Sequence, residues 1–153
     1  MSKIKSLPAL KKTVARLKKQ KKRIVFTNGC FDFIHPGHIK ILRQAKSKGD
    51  ILIVGLNSDS SVKKIKGPSR PIMNEKARAE VLATLEPVDY VVLFKEPTPY
   101  KLIQELKPHI LIKGADWSKD KIVGAELVQK VCSIKLYPGY STTKIIERIK
   151  KYG

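Results

Sequence analysis

FTNGCFDFIHPGHIKIL, residues 26–42, is the stretch whose reading decides the fold. Its first residues continue a β-branched and aromatic run, IVFTNG at 24–29, which ends in glycine in the manner of a buried strand. Its last residues open a second apolar run, in which Ile39, Ile41, Leu42 and Ala45 recur at helical spacing until Gly49 and Asp50. A strand that turns tightly into a helix is the first half of a βαβ unit. The turn carries Gly29, Cys30, Asp32 and two histidines, His35 and His38, three residues apart. Two imidazoles at the mouth of a helix either cap it and fill space, or they face something anionic.

Outward from this unit the alternation continues. PALKKTVARLKK (8–19) sets Leu10, Val14 and Leu17 on one face, a basic amphipathic helix over about 8–20. ILIVGLN (51–57), YVVLF (90–94) and HILIKG (109–114) read as further strands, with a weak one at 134–137. Helices are expected from Asn74, as N-cap, to Leu85, over Tyr100–Leu106, near 123–131, and from Ser141 to Lys151. NSDSSVKKIKGPSRPIMNE (57–75), rich in Ser, Gly, Pro and Asn, reads as a long functional loop. Apolar strands separated by helices make an α/β fold. The expectation is one domain, 1–153, with a Rossmann-like parallel sheet covered by helices on both faces. Such sheets bind ligands at the carboxyl ends of their strands, which gathers loops 28–38, 57–71, 113–120 and 137–142 on one edge. Neither G-x-G-x-x-G nor G-x-x-x-x-G-K-[ST] occurs, so phosphate recognition here needs other parts.

The composition narrows the partners. The chain has 153 residues, 42% hydrophobic and 7% aromatic, enough for a proper core. No apolar run approaches the roughly 20 residues of a membrane span, and the basic N-terminus lacks the apolar segment of a secretory signal. Two cysteines do not make a disulfide framework, and a cytoplasmic location is expected. The outlying quantity is charge: 32 Lys plus Arg against 13 Asp plus Glu, a formal +19. That excess attracts polyanions such as nucleic acid, anionic membrane or phosphorylated small molecules; it is equally what a lysine-rich solvated surface gives.

Four motifs point more sharply. In HPGH, Pro36 and Gly37 fix a tight helix entry, and histidines at i and i+3 share one side of a turn. Helix N-termini favour phosphate, and imidazoles there can stabilise a developing charge; zinc lacks a ligand set at suitable spacing. In GYSTTKII (139–146), Ser141, Thr142 and Thr143 open the last helix and Lys144 sits in its first turn. Lysine there opposes the helix dipole unless an anion lies between them, or unless it points to water beside an ordinary cap. KKIKGPSR supplies Lys63, Lys64, Lys66 and Arg70, a solvated run or a phosphate clamp. KGADW (113–117) delivers Asp116 and Trp117 from a strand end, for a hydroxyl, a magnesium ion or a ring, or for packing. Cys30 and Cys132 read as buried small hydrophobes and His109 as structural.

TNGCFDFIHPGH, GLNSDSSVKKIKG, SRPI, VDYVVLF, ILIKGADW and GYSTTKII together resemble the cytidylyltransferase-like nucleotidyltransferases. The likeness runs from about residue 8 and is strongest to the branch that adenylylates D-glycero-β-D-manno-heptose 1-phosphate for ADP-heptose synthesis. That resemblance implies ATP and a sugar phosphate as substrates, with Mg2+ as cofactor on the ATP phosphates and no metal held by the protein. It implies catalytic roles for His35, His38 and Lys66. Nucleotide binding falls to Asn28, Gly29, Cys30, Phe31, Gly37 and His38, with Gly114, Ser141, Thr142 and Thr143. Asp32, Lys66, Arg70, Asp116 and Trp117 are the implied substrate-binding set. It further implies the stand-alone form of a domain often fused to a sugar kinase. A homo-oligomer, a dimer, is expected, with the basic first helix as candidate contact and with no membrane or nucleic-acid partner. Trp117 is similar to the glycerol-phosphate cytidylyltransferase branch, so CTP with glycerol 3-phosphate is an alternative pair, as is ATP with FMN. A basic nucleic-acid-binding module is the non-enzyme alternative, although no RRM, zinc-finger or helix-turn-helix signature accompanies the charge.

Overall fold

β1 (Ile24–Gly29) lies in the middle of the sheet, as its composition requires. Ile24, Val25 and Phe26 are fully buried, so the strand needs cover on both faces and a neighbour on each side. The computed structural model describes residues 2–114, 121–135 and 137–153. Its sheet has the order β3-β2-β1-β4-β5, with β2 at Ile51–Asn57, β3 at Tyr90–Phe94, β4 at Ile110–Gly114 and β5 at Lys130–Ile134. Every pairing is parallel, and Phe26 sits opposite Ile53 on one side and Leu111 on the other. The chain builds outward through β2 and β3, then crosses back to place β4 on the far side of β1. Strand order therefore reverses between β1 and β4.

Two apolar layers cover the sheet. On one face, Leu42 and Ala45 of α2 (Pro36–Lys46) and Ala79 and Leu82 of α4 (Glu75–Thr84) pack on Val25, Val54, Val91 and Ile112. On the other, Leu10, Val14 and Leu17 of α1 (Leu7–Lys19) join Leu102, Ile103 and Leu106 of α5 (Tyr100–Leu106) over Phe26, Ile53 and Leu111. Burial of each of the larger side chains contributes about 1.5–3 kcal/mol, so the layers fix the positions of the strand ends. Asn74 caps α4 as the sequence suggests, its Oδ1 accepting from the Ala77 N–H at 3.0 Å.

The structure corrects four expectations. The segment 57–75 is not loop throughout: α3 occupies Asp59–Lys66. Ser58 Oγ accepts from the Ser61 N–H at 3.2 Å, Asp59 lies in the first turn, and Lys63, Lys64 and Lys66 lie in the last. All of these complement the helix dipole, and Gly67, at φ 99°, ends the helix. The helix expected near 123–131 is a single 3-10 turn, Ala125–Leu127, and the strand expected at 134–137 is β5 at Lys130–Ile134. An edge strand pairs on one side only, and here Lys130 and Ser133 are exposed and only Ile134 is buried, which hides it from a search for apolar runs. The cysteines, expected to be buried, are free and half-buried. The last helix, α6, spans Thr142–Tyr152.

Candidate active site

α2 begins directly off the β1 turn. His35 holds the N-cap position in extended backbone and Pro36 the first turn, but the His35 side chain makes no capping bond. Its ring instead stacks on His38, with centroids 3.8 Å apart and planes 25° from parallel. Gly37 makes this possible: a Cβ there would lie 2.9 Å from His35 Cε1 and 3.0 Å from its Nδ1. Phe31 leans on His38 from below at 5.1 Å, and Tyr140 lies nearly parallel to His35 at 6.3 Å. Both Nδ1 atoms are buried without a hydrogen-bond partner among the described residues. Burial lowers the pKa of both imidazoles. For His38 it acts with the charge on His35 against the Phe33 carbonyl, and the value falls to about 4. Two neutral imidazoles with unmet polar atoms, at a helix N-terminus, form a pocket edge suited to an anion.

Buried ionic contacts hold the surrounding loops. Asp32 is expected to touch sugar hydroxyls or metal-bound substrate, but its carboxylate is engaged inside the protein. It accepts from Arg70 Nε at 2.8 Å and from the N–H groups of Ile72 and Met73 at 2.8 and 2.9 Å, with its side chain wholly buried. Burial pushes its pKa up, and the two N–H groups and Arg70 outweigh that and hold it below the usual carboxylate range. Arg70 in turn is tied to the loop, with only Nε engaged among the described residues. Deeper still, Arg78 joins four segments. It donates to the carbonyls of Cys30 (2.6 Å), Asn57 (2.8 Å) and Met73 (3.0 Å) and to Asp59 Oδ1 (2.7 Å). The ends of β1 and β2 and the starts of α3 and α4 thus meet on one guanidinium.

The remaining sequence candidates fall around this frame. Lys66, Arg78 and Arg70 all pull on the Cys30 thiol, yet burial outweighs them and pushes its pKa up, leaving a neutral thiol. Asn28, at the end of β1, accepts from Lys113 Nζ at 2.8 Å, next to Gly114. Ser141 caps α6, accepting from the Lys144 N–H at 3.1 Å, so Thr142 and Thr143 form its first turn behind Tyr140. Gly29 leaves room for the Phe31 ring, which an added Cβ would meet at 2.9 Å. Asp116 and Trp117 lie outside the described residues. His109 is structural, as expected: its Nδ1 accepts from the Ile24 N–H at 2.9 Å.

The profile described as cytidylyltransferase-like matches residues 26–148, from the middle of β1 into α6. The chain belongs to the cytidylyltransferase-like family. As a member it is a nucleotidyltransferase enzyme, and its relatives agree. It is 52% identical over 150 residues to the bifunctional protein HldE of Aliarcobacter butzleri, covering 98% of this chain and 32% of that protein. It is 56% identical over 142 residues to the HldE of Helicobacter pylori strain P12, covering 93% and 30%. The chain thus spans about a third of the length of these curated relatives. Among solved structures it is similar to the lipopolysaccharide core biosynthesis protein of Thermoplasma volcanium, with 32% identity and a TM-score of 0.64 over 76% of this chain and 98% of that one. A pantoate-β-alanine ligase from Francisella tularensis, at 18% identity and TM-score 0.63 over 99% of this chain and 78% of that one, shares the fold alone.

In this cytidylyltransferase-like chain, sequence reasoning passed over Arg78, Asn57 and Lys113. Arg78 carried a signal: it neighbours Ala79 on the buried side of α4, where an unpartnered charge does not survive. Lys113 carried another, as the one cation in an otherwise apolar strand. Asn57 gave none beyond its place at a strand end; its Nδ2 donates to Ser61 Oγ at 3.0 Å, which donates onward to the Glu96 carbonyl.

Proposed function

We propose that the chain transfers AMP from ATP to D-glycero-β-D-manno-heptose 1-phosphate, giving ADP-heptose and pyrophosphate, in the cytoplasm and for a glycan precursor such as that of lipopolysaccharide. The observation that carries the transfer chemistry is the stacked His35–His38 pair with both Nδ1 atoms unmet at the α2 N-terminus. The sugar is argued from similarity to the HldE proteins over nearly the whole chain. An oxygen of the sugar phosphate attacks the α-phosphorus in line as the bond to the β-phosphate oxygen breaks, and that electron pair leaves on pyrophosphate. No protein nucleophile is needed, so catalysis is positioning and charge stabilisation. His35 would donate to the triphosphate, and His38, whose N–H faces the Phe33 carbonyl, would donate through Nδ1 on taking up a proton. Lys66 and Arg70 would offset its charge, and the N-terminus of α6 with Ser141, Thr142 and Thr143 would take the leaving phosphates. Among the described residues no three His, Cys, Asp or Glu side chains gather as a metal site, and Asp32 is already saturated. Mg2+ would arrive on the ATP phosphates, where it would supply charge neutralisation. A homodimer belongs to the same proposal.

Pyrophosphate release tests this reading, with ATP or CTP crossed against the heptose 1-phosphate or glycerol 3-phosphate and His38→Ala as control. Release with ATP and the heptose phosphate alone, lost in the variant, is the expected result. Release with CTP and glycerol phosphate overturns the substrate pair, and equal rates in His38→Ala overturn the site.

A further inference from the structure

We infer that Lys113 and Asn28 form a phosphate-binding subsite where the strand order reverses, with the Lys113 ammonium donating to a phosphate oxygen of a substrate. The inference rests on the nucleotidyltransferase reading of this edge and assigns it a contact that the motifs leave out. The parallel register pairs Phe26 with Leu111, and two residues further on it brings Asn28 beside Lys113. Lys113 Nζ reaches Asn28 Oδ1 at 2.8 Å, in the crevice between the carboxyl ends of β1 and β4. In open parallel sheets that crevice is where ligands bind. Alternation along the strands puts both side chains on the Phe26–Leu111 face, covered by α1 and α5, whereas the histidines rise from α2 on the other face. The carboxyl end of β1 is thus flanked by the imidazole pair on one side and by a cation on the other.

Charge pairing separates Lys113 from its neighbours. The buried cations nearby each have a carboxylate: Arg78 has Asp59 at 2.7 Å, and Arg70 has Asp32 at 2.8 Å. Lys113, among the described residues, has one neutral oxygen and no carboxylate. Lys113 is half-buried, and an ammonium drawn that far out of water ordinarily finds a counter-charge or extends its stem to put its head in water. Here the head is held inward by the Asn28 amide, with two of its three N–H donors left over among the described contacts. Desolvation accordingly lowers its pKa below the usual lysine range. The Asn28 amide nitrogen is a further donor for the same oxygen. A phosphate supplies the missing charge. The nucleotide and the sugar 1-phosphate both carry that chemistry.

The test measures binding by calorimetry and thermal shift, with Mg-ATP, inorganic pyrophosphate and the heptose 1-phosphate as separate probes. Lys113→Met and Lys113→Gln are compared with wild type; the glutamine keeps a donor for Asn28 while removing the charge. Both ligand-free variants should melt at or above the wild-type temperature, because a half-buried charge with no carboxylate partner among the described residues has gone. Loss of a charged hydrogen bond should weaken at least one ligand by about 10- to 100-fold. A loss for Mg-ATP and pyrophosphate assigns the subsite to the nucleotide, and a loss for the sugar phosphate assigns it to the acceptor. Wild-type affinity for all three ligands in Lys113→Gln overturns the inference, as does a lowered melting temperature with all affinities kept. A wild-type protein that binds none of the probes refutes instead the nucleotidyl-transfer reading on which the subsite rests.

Discussion

Mild acid should weaken this fold through His38, and by an amount that follows from its burial. The imidazole titrates near 6.5 when unfolded and at about 4 when folded. Above the first value neither state holds the proton, and the stabilising contribution is complete. Between the two, the unfolded chain binds a proton that the folded chain refuses, so stability falls as pH falls. Each pH unit in that window costs about 1.4 kcal/mol, hence roughly 2.7 kcal/mol by pH 4.5. Against a typical total of 5–15 kcal/mol that is a large fraction. His35 and His109 are shifted in the same direction and steepen the wild-type curve. Asp32, held below the ordinary carboxylate range, contributes only at lower pH. His38→Gln removes the one group and leaves the others. Urea unfolding at about pH 7, 5.5 and 4.5 should then show the gap between wild type and variant shrinking by roughly 2–3 kcal/mol. Sulfate, which does not titrate in this range, should bind more tightly as pH falls, and more steeply so in wild type than in the variant, where His35 alone of the pair still gains a charge. Parallel stability curves for the two proteins would refute the assignment of a buried, neutral His38.

Two further substitutions probe the frame. Arg78→Met strands three carbonyls and the Asp59 carboxylate and should cost about 3–5 kcal/mol in urea unfolding; a loss below about 1 kcal/mol would show that water replaces the guanidinium. Gly37→Ala places a methyl 2.9 Å from the His35 ring, so the imidazole must turn off its stack. Pyrophosphate release should fall by about 100-fold with the melting temperature nearly unchanged, and wild-type turnover would show that the stack is dispensable.

The parts of the fold legible in the sequence are those where one force dominates. Residues 24–29, 51–57, 90–94 and 110–114 are buried on both faces, so their apolar runs admit no other reading. α3 was missed because Ser58 and Asp59 serve turns and helix starts equally well, and only tertiary contacts decide between them. Here Arg78 holds Asp59, and the Ser58 N–H donates to the Phe94 carbonyl at 2.9 Å. β5 was displaced because Lys130 and Ser133 face outward on an edge strand. At the site, HPGH was legible since proline, glycine and paired histidines have few joint uses. The role of Asp32 was not: nothing local shows that its oxygens turn inward to residues 70–73, about 40 positions away.

Those inward-turned acids explain how a general excess of charge becomes a local one. Asp32 is enclosed by Arg70 and two N–H groups, Asp59 is held by Arg78, and Glu75 accepts from the Asp59 N–H at 2.8 Å. In this structure these three carboxylates are each acceptors for the loops. The cations are disposed differently. Lys66 is exposed at the end of α3, and among the described residues neither it nor Lys113 has a carboxylate partner. A +19 chain that uses its nearby acids as structural clamps presents net positive potential at the strand ends, where the imidazoles and helix N-termini also point. At physiological salt the field of the distant surface lysines is screened within about 8 Å. Capture of a polyphosphate therefore depends on the few cations at this edge, and half-buried Lys113, screened less than exposed Lys66, should dominate the residual affinity at high salt.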